Sequence, residues 1–159
     1  MRHVWVLVLV AACGNKSSNT SAGGTGAASM DDAVKSFNTA LETGDAAKVR
    51  AQLPGVAALS AHLDCGAKMA ALMDDTAKTI VGIDDVKAMK DRPSTFVSLE
   101  TTDAMVVPVG PFEGDCKVTK EFKRARVAAK WTLENESHTT KLTLAELGGR
   151  WFVIDVPGI

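Results

Sequence analysis

The spacing of apolar residues changes once along this chain, close to Pro93. Before Pro93, apolar residues recur at intervals of three and four, which is the period of an amphipathic helix. After Pro93, short runs rich in β-branched and aromatic residues appear, and the apolar residues Val127, Ala129, Trp131 and Leu133 fall at every second position. Because helices come first and strands follow, residues 29–159 are predicted to form a single α+β domain, with N-terminal helices packed on an antiparallel sheet.

The helical half contains clear start and stop signals. Ser29, with Asp32 three residues later, has the form of a capping box, and Gly44 is predicted to end this first helix. Asp45 is predicted to cap a short second helix. The remaining predicted helices cover residues 46–53, 56–63 and 67–80.

Two turn sequences divide the strand half, at residues 135–136 and 148–149. The second is Gly-Gly, which suits a two-residue turn with positive φ angles. A bulge or bend is predicted within residues 123–126, because Phe122 stands on the opposite parity from the alternating residues that follow it. The predicted strands cover residues 95–101, 105–109, 116–133, 139–147 and 151–156.

The first twelve residues have the layout of an export signal. Arg2 supplies a positive charge, and an unbroken apolar run follows from Val4 to Ala12. This run is too short to span a bilayer, which takes about 20 apolar residues. A buried N-terminal strand is the alternative, but residues 1–12 are predicted to be a signal peptide.

The end of that run, Val10-Ala11-Ala12-Cys13, resembles the lipobox of bacterial lipoproteins. The resemblance implies that the signal is cut before Cys13 and that Cys13 carries palmitate or similar acyl chains. It also implies a lipid-anchored protein of the bacterial cell envelope, and Gly14 in place of aspartate favours the outer membrane. Two or more acyl chains would give a stable membrane anchor, since each buried methylene contributes about 0.8 kcal/mol.

Residues 13–28 are predicted to be a flexible linker. They consist almost entirely of small and polar residues, and nothing large and apolar is present to bury. The Gly-Gly-Thr-Gly sequence within them has neither the preceding strand nor the following Gly-Lys-Ser/Thr of a phosphate-binding loop.

The chain has three cysteines. With Cys13 acylated, Cys65 and Cys116 remain as a pair in an exported and therefore oxidising setting. We predict a disulfide between them, and the alternative is two separate buried thiols.

A second resemblance covers residues 29–156. It rests on Phe37, Ala40-Leu41, Gly44-Asp45, Leu53 and the closing run 149–154, which look like the frame of nuclear-transport-factor-like (SnoaL-like) domains. The resemblance implies a cone, in which helices pack into a strongly curved antiparallel sheet. A cystatin-like or other helix-on-sheet domain is the alternative.

Enzymes of that superfamily use tyrosine and aspartate, or histidine and aspartate, and this chain has no tyrosine. His62 and His138 stand in no metal or nucleophile motif, so no catalytic residue, metal or cofactor is predicted. The formal charge of −1 gives no electrostatic reason to expect a nucleic acid partner. A basic series is predicted to form the solvated face of the sheet rather than an anion site: Lys117, Lys120, Lys123, Arg124, Arg126 and Lys130.

Five side chains are candidates for lining a pocket under the sheet: Phe122, Trp131, Trp151, Phe152 and His62. Plain core packing is the alternative for the aromatic ones. The sequence thus predicts a non-enzymatic binding or accessory module, anchored to the membrane through its lipid, with a small apolar ligand or an envelope protein as partner. The alternative function is that of a small-molecule binder, or of a cone-fold enzyme resembling isomerases or dehydratases.

Overall fold

The computed structural model describes residues 24–66, 69–82, 90–112 and 116–156. Its helices are α1 (Met30–Thr43), α2 (Ala46–Arg50), α3 (Val56–Ser60) and α4 (Met69–Gly82). Its strands are β1 (Leu63–Asp64), β2 (Thr95–Val107), β3 (Gly110–Pro111), β4 (Lys117–Val118), β5 (Phe122–Leu133), β6 (Glu136–Leu147) and β7 (Arg150–Asp155). The combination of helices with curved antiparallel sheets confirms the predicted α+β class. The predicted signal peptide and Cys13 lie outside the described residues.

Four strands form the main sheet in the order β2-β5-β6-β7, and each neighbouring pair is antiparallel. Two-residue turns join its last three strands. Glu134 and Asn135 have φ angles of 49° and 71°, and Gly148 and Gly149 have 60° and 77°, the positive values that tight hairpins require. The glycine turn lies at its predicted position, whereas the other turn lies one residue earlier than predicted.

Strand β2 is continuous over 13 residues, where the sequence predicts two separate runs. It stays continuous because its register with β5 shifts twice, after Phe96 and after Thr101. The second shift leaves Thr102 as an extra residue, and its Oγ1 donates a hydrogen bond of 3.1 Å to the Arg126 carbonyl. The bulge predicted within residues 123–126 of β5 instead lies on its partner β2, because the pairing of β5 with β6 is unbroken there. β2 is an edge strand, where bulges are more common.

Helix α1 begins and ends as predicted. Ser29 Oγ accepts a hydrogen bond of 3.1 Å from the Asp32 N–H, and Gly44 ends the helix with a φ of 61°. Val34 and Phe37 are 0% and 1% exposed, because this face packs into the core and the helix contacts β7. The apolar spacing of the sequence thus identified the buried face of α1.

The shorter helices differ from their predicted limits. Asp45 caps α2 as predicted, with its Oδ1 accepting a hydrogen bond of 2.8 Å from the Ala47 N–H, but α2 ends at Arg50 rather than residue 53. α3 ends at Ser60 rather than residue 63, and α4 extends to Gly82, two residues beyond its predicted end. Residues 67–68, at the predicted start of α4, lie outside the described part of the chain. None of these helices, nor α1, is long and apolar enough to cross a membrane within the described part of the chain.

A second sheet consists of three short strands in the order β1-β4-β3. The sequence predicts one strand over residues 116–133, but the chain leaves the small sheet after β4 before it enters the main sheet as β5. The backbone turns there because the His62 carbonyl accepts hydrogen bonds from the N–H groups of Thr119, at 2.8 Å, and Lys120, at 3.3 Å.

Cys65 and Cys116 form a disulfide with an S–S distance of 2.02 Å, which confirms the predicted pair. The bond joins the residue that follows β1 to the residue that precedes β4, so it links two neighbouring strands of the small sheet at one end of their pairing. Its sequence separation of 51 residues makes it a long-range restraint on the unfolded chain.

The last five residues of the predicted linker, 24–28, lie against the domain. Gly24 N–H donates to the Leu53 carbonyl at 2.9 Å, and Ala27 and Trp151 exchange two backbone hydrogen bonds of 2.9 Å. A Cβ on Gly24 would lie 1.9 Å from the Ala51 carbonyl oxygen, so only glycine fits there. Backbone pairing with the domain therefore starts five residues before position 29.

Candidate functional site

A cavity of about 380 Å³ lies between the small sheet and one face of the main sheet. The small-sheet side and α3 supply Pro54, Leu59, Leu63, Cys65, Phe112 and Cys116. The main sheet supplies Phe122, Arg124, Thr143, Ala145, Leu147, Ile154 and Asp155. Ten of these thirteen residues are apolar or disulfide-bonded, which is the composition of a small-molecule pocket rather than of a polar cleft.

The disulfide itself forms part of the cavity wall. Because both Cys65 and Cys116 line the cavity, the bond covers it and holds the small sheet over the main sheet. We therefore expect reduction of the bond to loosen the pairing of β1 with β4 beside the cavity.

A groove of about 530 Å³ adjoins this cavity, and its lining includes Val127 and Leu142 as well as Arg126 and Lys141. Thr143 and Asp155 line both spaces, so the two meet at these residues. Arg126 and Lys141 line the groove only. The cavity and the groove are both largely apolar, and the groove adds the charged side chains of Arg126 and Lys141 at its border.

Two polar groups in the cavity have no hydrogen-bond partner. Thr143 is 1% exposed and its Oγ1 is unpaired, and the Nε of Arg124 is also buried without a partner in the described part of the chain. Leaving a buried polar group unpaired costs about 1–3 kcal/mol, so natural structures contain few of them. Arg124 and Thr143 are therefore the polar groups available to a ligand.

His62 has both ring nitrogens paired with backbone groups. The Gly148 N–H donates to Nε2 at 3.2 Å, so the ring proton is on Nδ1, which lies 3.3 Å and 3.2 Å from the carbonyl oxygens of Lys120 and Glu121. The side chain is 4% exposed and contacts Phe122 edge-on, with ring centroids 6.1 Å apart. His62 joins three backbone segments instead of lining the cavity.

The predicted pocket residues do not converge on one space. Phe122 lines the cavity, but Trp131 is 4% exposed and packs edge-on against Phe96 with ring centroids 5.1 Å apart. Trp151 borders a separate space of about 220 Å³ beside Thr25 and Gly26. Phe152 is 3% exposed and lies against Gly26, where a Cβ would come within 2.5 Å of its ring. Trp131 and Phe152 thus follow the alternative of plain core packing.

The basic series is divided between the two faces of β5. Lys123 pairs with Glu146 at 2.8 Å, and Lys117, Lys120, Arg126 and Lys130 are exposed, as predicted for a solvated face. Arg124 is the exception, because it lines the cavity. His138 is exposed, with Nε2 3.8 Å from Glu136.

Sequence reasoning missed Arg124, Thr143 and Asp155 as site residues. A signal for Arg124 exists in strict two-residue alternation, which puts Phe122, Arg124 and Arg126 on one face of β5. In the described residues, no group of three or more histidine, cysteine, aspartate and glutamate side chains is placed to hold a metal ion.

Comparison of the chain with protein-family models, with curated proteins and with solved structures finds no match in any of the three. The fold and the cavity define a disulfide-bonded α+β domain with a largely apolar space on one face of its sheet. The contents of that space and the N-terminal sequence are the basis for a functional proposal.

Proposed function

We propose that this chain is an exported bacterial lipoprotein whose domain binds a small, largely apolar molecule without transforming it. The observation that carries the proposal is the cavity of about 380 Å³ beneath the Cys65–Cys116 disulfide. Its volume falls within the range of about 300–1,000 Å³ that is usual for ligand pockets. Apolar walls with a few polar groups are also what a binding site for such a molecule requires.

The N-terminal sequence supports the envelope location in this proposal. Acylation of Cys13 would hold the protein at the membrane, and residues 14–23 of the predicted linker would connect the anchor to Gly24, the first residue that the structure describes. Ten flexible residues reach roughly 18 Å on average, so the domain would stay next to the lipid surface. An apolar ligand would then have a short path between the membrane and the cavity.

A disulfide in the cavity wall fits the same location. Disulfides persist in oxidising compartments such as the bacterial periplasm and cell surface. Because the bond covers the cavity, export would be coupled to formation of the binding site. We further propose that the helices and curved sheet form a cone like that of nuclear-transport-factor-like domains, with this cavity beneath the sheet.

The side chains around the cavity favour binding over catalysis. His62, the histidine nearest to it, has both ring nitrogens occupied by backbone groups. The Arg124 guanidinium offers hydrogen-bond donors and no acceptor, so it is not suited to act as a general base. Among the described residues that line the cavity, Asp155 is then the one whose side chain could donate or accept a proton in a reaction.

Asp155 supports the alternative function, an isomerase-like or dehydratase-like enzyme. Its carboxylate lines both the cavity and the groove, and proton transfer by a carboxylate is a common catalytic step. Any turnover found with the protein would have to be lost in Asp155→Asn. Ligand binding without turnover, retained in that variant, is the result expected of a binding protein.

Binding is tested with the full chain, processed by a bacterial host and held in nanodiscs of phosphatidylcholine. The neutral fluorescent probe N-phenyl-1-naphthylamine is titrated in, and nanodiscs without protein provide the blank. Ala145→Leu places a larger side chain into the cavity wall and should weaken probe binding about tenfold, equivalent to about 1.4 kcal/mol.

The matched control is Ala128→Leu, the same change on the neighbouring strand, at a residue outside both spaces. It should leave probe binding unchanged, and thermal unfolding of both variants shows whether they are folded. Equal probe binding by wild type and Ala145→Leu, with both folded, would overturn the proposed binding function. A domain whose surface docks another envelope protein would give that result.

A further inference from the structure

Side chains facing the cavity change from apolar to cationic along two neighbouring strands. Residues two apart on a strand share a face, so β6 presents Leu147, Ala145, Thr143 and Lys141 in that order. β5 runs antiparallel to it and presents Phe122, Arg124 and Arg126 on the same face. The apolar end lies under the small sheet, and the cationic end lies in the groove.

The two unpaired polar groups lie where this change occurs. The Arg124 Nε–H can only donate a hydrogen bond, and the Thr143 hydroxyl can donate one. Arg124 lies directly opposite Ala145, and Thr143 is two residues away from Ala145 on the same strand. Arg124 and Thr143 are therefore diagonal neighbours on one face of the sheet. Two adjacent donors without acceptors match a ligand oxygen that carries negative charge.

The charges around the groove favour the same ligand. Arg124, Arg126 and Lys141 supply three positive charges, against two negative charges from Asp155 and from Asp103, which lies directly opposite Arg126 on β2. None of these five forms an ion pair with another described residue. The local excess of positive charge would attract an anionic group and repel a cationic one.

We propose that the ligand is a single-chain amphiphile with an anionic head group. This inference rests on the proposed binding function and names the ligand class for the same site. The head group accepts hydrogen bonds from Arg124 and Thr143, and Arg126 and Lys141 add long-range attraction. The apolar chain extends toward Leu147, about 13 Å along β6, and contacts the residues beneath the disulfide.

The test compares three probes of equal chain length on the full chain in phosphatidylcholine nanodiscs, with empty nanodiscs as the blank. Decanoate carries a negative head group, decanol is neutral, and decyltrimethylammonium is positive. Calorimetric titration should show decanoate binding roughly ten- to a hundredfold more tightly than decanol, which is the effect of a charge-assisted hydrogen bond. Decyltrimethylammonium should bind more weakly than decanol.

Two variants assign this preference to the proposed residues. Arg124→Gln and Thr143→Val should each reduce decanoate affinity by a larger factor than decanol affinity, because a hydrogen bond to a carboxylate is stronger than one to a neutral hydroxyl. Lys130→Gln is the matched control, since it removes a positive charge from the same face of β5 at a residue outside both spaces. It should bind all three probes as wild type does.

The outcomes separate this inference from the proposed function. Equal binding of decanoate and decanol by the wild type would overturn the anionic ligand class and leave the binding function intact. Binding of neither probe, with N-phenyl-1-naphthylamine also failing to bind, would overturn the binding function itself. Loss of decanol and decanoate affinity by the same factor in Arg124→Gln would show a structural role for Arg124 and contradict its role with the head group.

A carboxylate and a phosphate monoester share the chemistry of this head group. Decanoate represents free fatty acids, and lysophosphatidic acid with a ten-carbon chain represents phospholipid fragments. The carboxylate fits the two available donors, so decanoate should bind at least as tightly as the phosphate. Tighter binding of lysophosphatidic acid would identify membrane phospholipid as the source, and it would overturn the assignment to a carboxylate.

Discussion

Thr143 and Leu144 are consecutive residues on opposite faces of the main sheet, and they illustrate how those faces differ. Both are almost completely buried, at 1% and 0% exposure. Leu144 lies among apolar neighbours, including Val127 and Val153, which are 1% and 0% exposed. Thr143 instead has an unpaired hydroxyl between a cavity and a groove.

The difference separates stability from binding. One face buries apolar side chains against each other, which is the main favourable contribution to folding. The first face holds one buried donor without a partner, Trp131 Nε1, whereas the other face combines two such groups, on Arg124 and Thr143, with open volume. Unpaired buried groups and open volume both reduce the free energy of unfolding. We interpret the lower stability of the cavity face as a consequence of its ligand-binding role. The following substitutions test whether the two faces differ in this way.

Removing the disulfide should have the largest effect. Cys65→Ser combined with Cys116→Ser opens a loop with a sequence separation of 51 residues. The chain-entropy estimate for such a loop is about 4 kcal/mol of unfolding free energy. Chemical denaturation measures this loss, and probe titration should show weakened binding because the small sheet no longer covers the cavity. Unchanged stability and binding in the double variant would contradict the role given to the disulfide.

Truncation on the opposite face comes next. Leu144→Ala should lower the free energy of unfolding by about 3 kcal/mol, since it removes buried methyl groups and leaves a void. Under conditions where the variant is folded, its affinity for decanoate should stay within about twofold of wild type. A tenfold loss of affinity in the folded variant would show that the two faces are not independent.

Thr143→Val should have the opposite effect on stability. Valine has nearly the same shape but lacks the hydroxyl, so the cost of an unpaired buried group disappears. We expect the free energy of unfolding to rise by about 1 kcal/mol, measured by denaturation without ligand. Thr140→Val, on the other face of the same strand, is the control and should show a smaller gain. A clear loss of stability in Thr143→Val would mean that the hydroxyl has a structural partner.

The smallest effect concerns the solvated turn that belongs to neither face. The Arg92 guanidinium donates hydrogen bonds to Glu134, and these bonds and its charge lower the pKa of that carboxyl below its ordinary value of 4.5. A carboxyl whose pKa is lower in the folded state adds stability above its unfolded pKa, and this is lost as pH falls through the folded pKa.

Glu134→Gln should therefore lower the thermal midpoint slightly at pH 7 and leave it unchanged well below pH 4.5. Both groups are solvated, so the change is small. Glu121→Gln, also exposed, serves as the control and should show no such difference between the two pH values. An equal effect of Glu134→Gln at both pH values would contradict the contribution of the ion pair.

The sequence predicted the main elements because their signals are local. Ser29 and Gly44 define the ends of α1 through capping, and Gly148-Gly149 defines a hairpin through its φ angles. The alternation after Val127 identified the core face of β5. Cysteine parity predicted the Cys65–Cys116 bond, although this argument depended on the resemblance of Cys13 to a lipobox cysteine.

The site was less predictable because it depends on long-range contacts. The small sheet has strands of two residues, too short to show any period. His62 was a pocket candidate, but a turn 86 residues away occupies one of its ring nitrogens. Arg124 stood in a basic run typical of exposed surface, and only the covering strands make it part of a cavity.

Solid-state NMR of the full chain in lipid nanodiscs would test the central claim most directly. With decanoate labelled with ¹³C at its carboxyl group and arginine side chains labelled with ¹⁵N, dipolar coupling reports the distance between them. If Arg124 binds the head group, a carboxylate oxygen of decanoate lies about 3 Å from a guanidinium nitrogen. This contact should disappear in Arg124→Gln and remain in Lys130→Gln. Saturating decanoate with no arginine contact, or with a contact that survives Arg124→Gln, would contradict this role of Arg124.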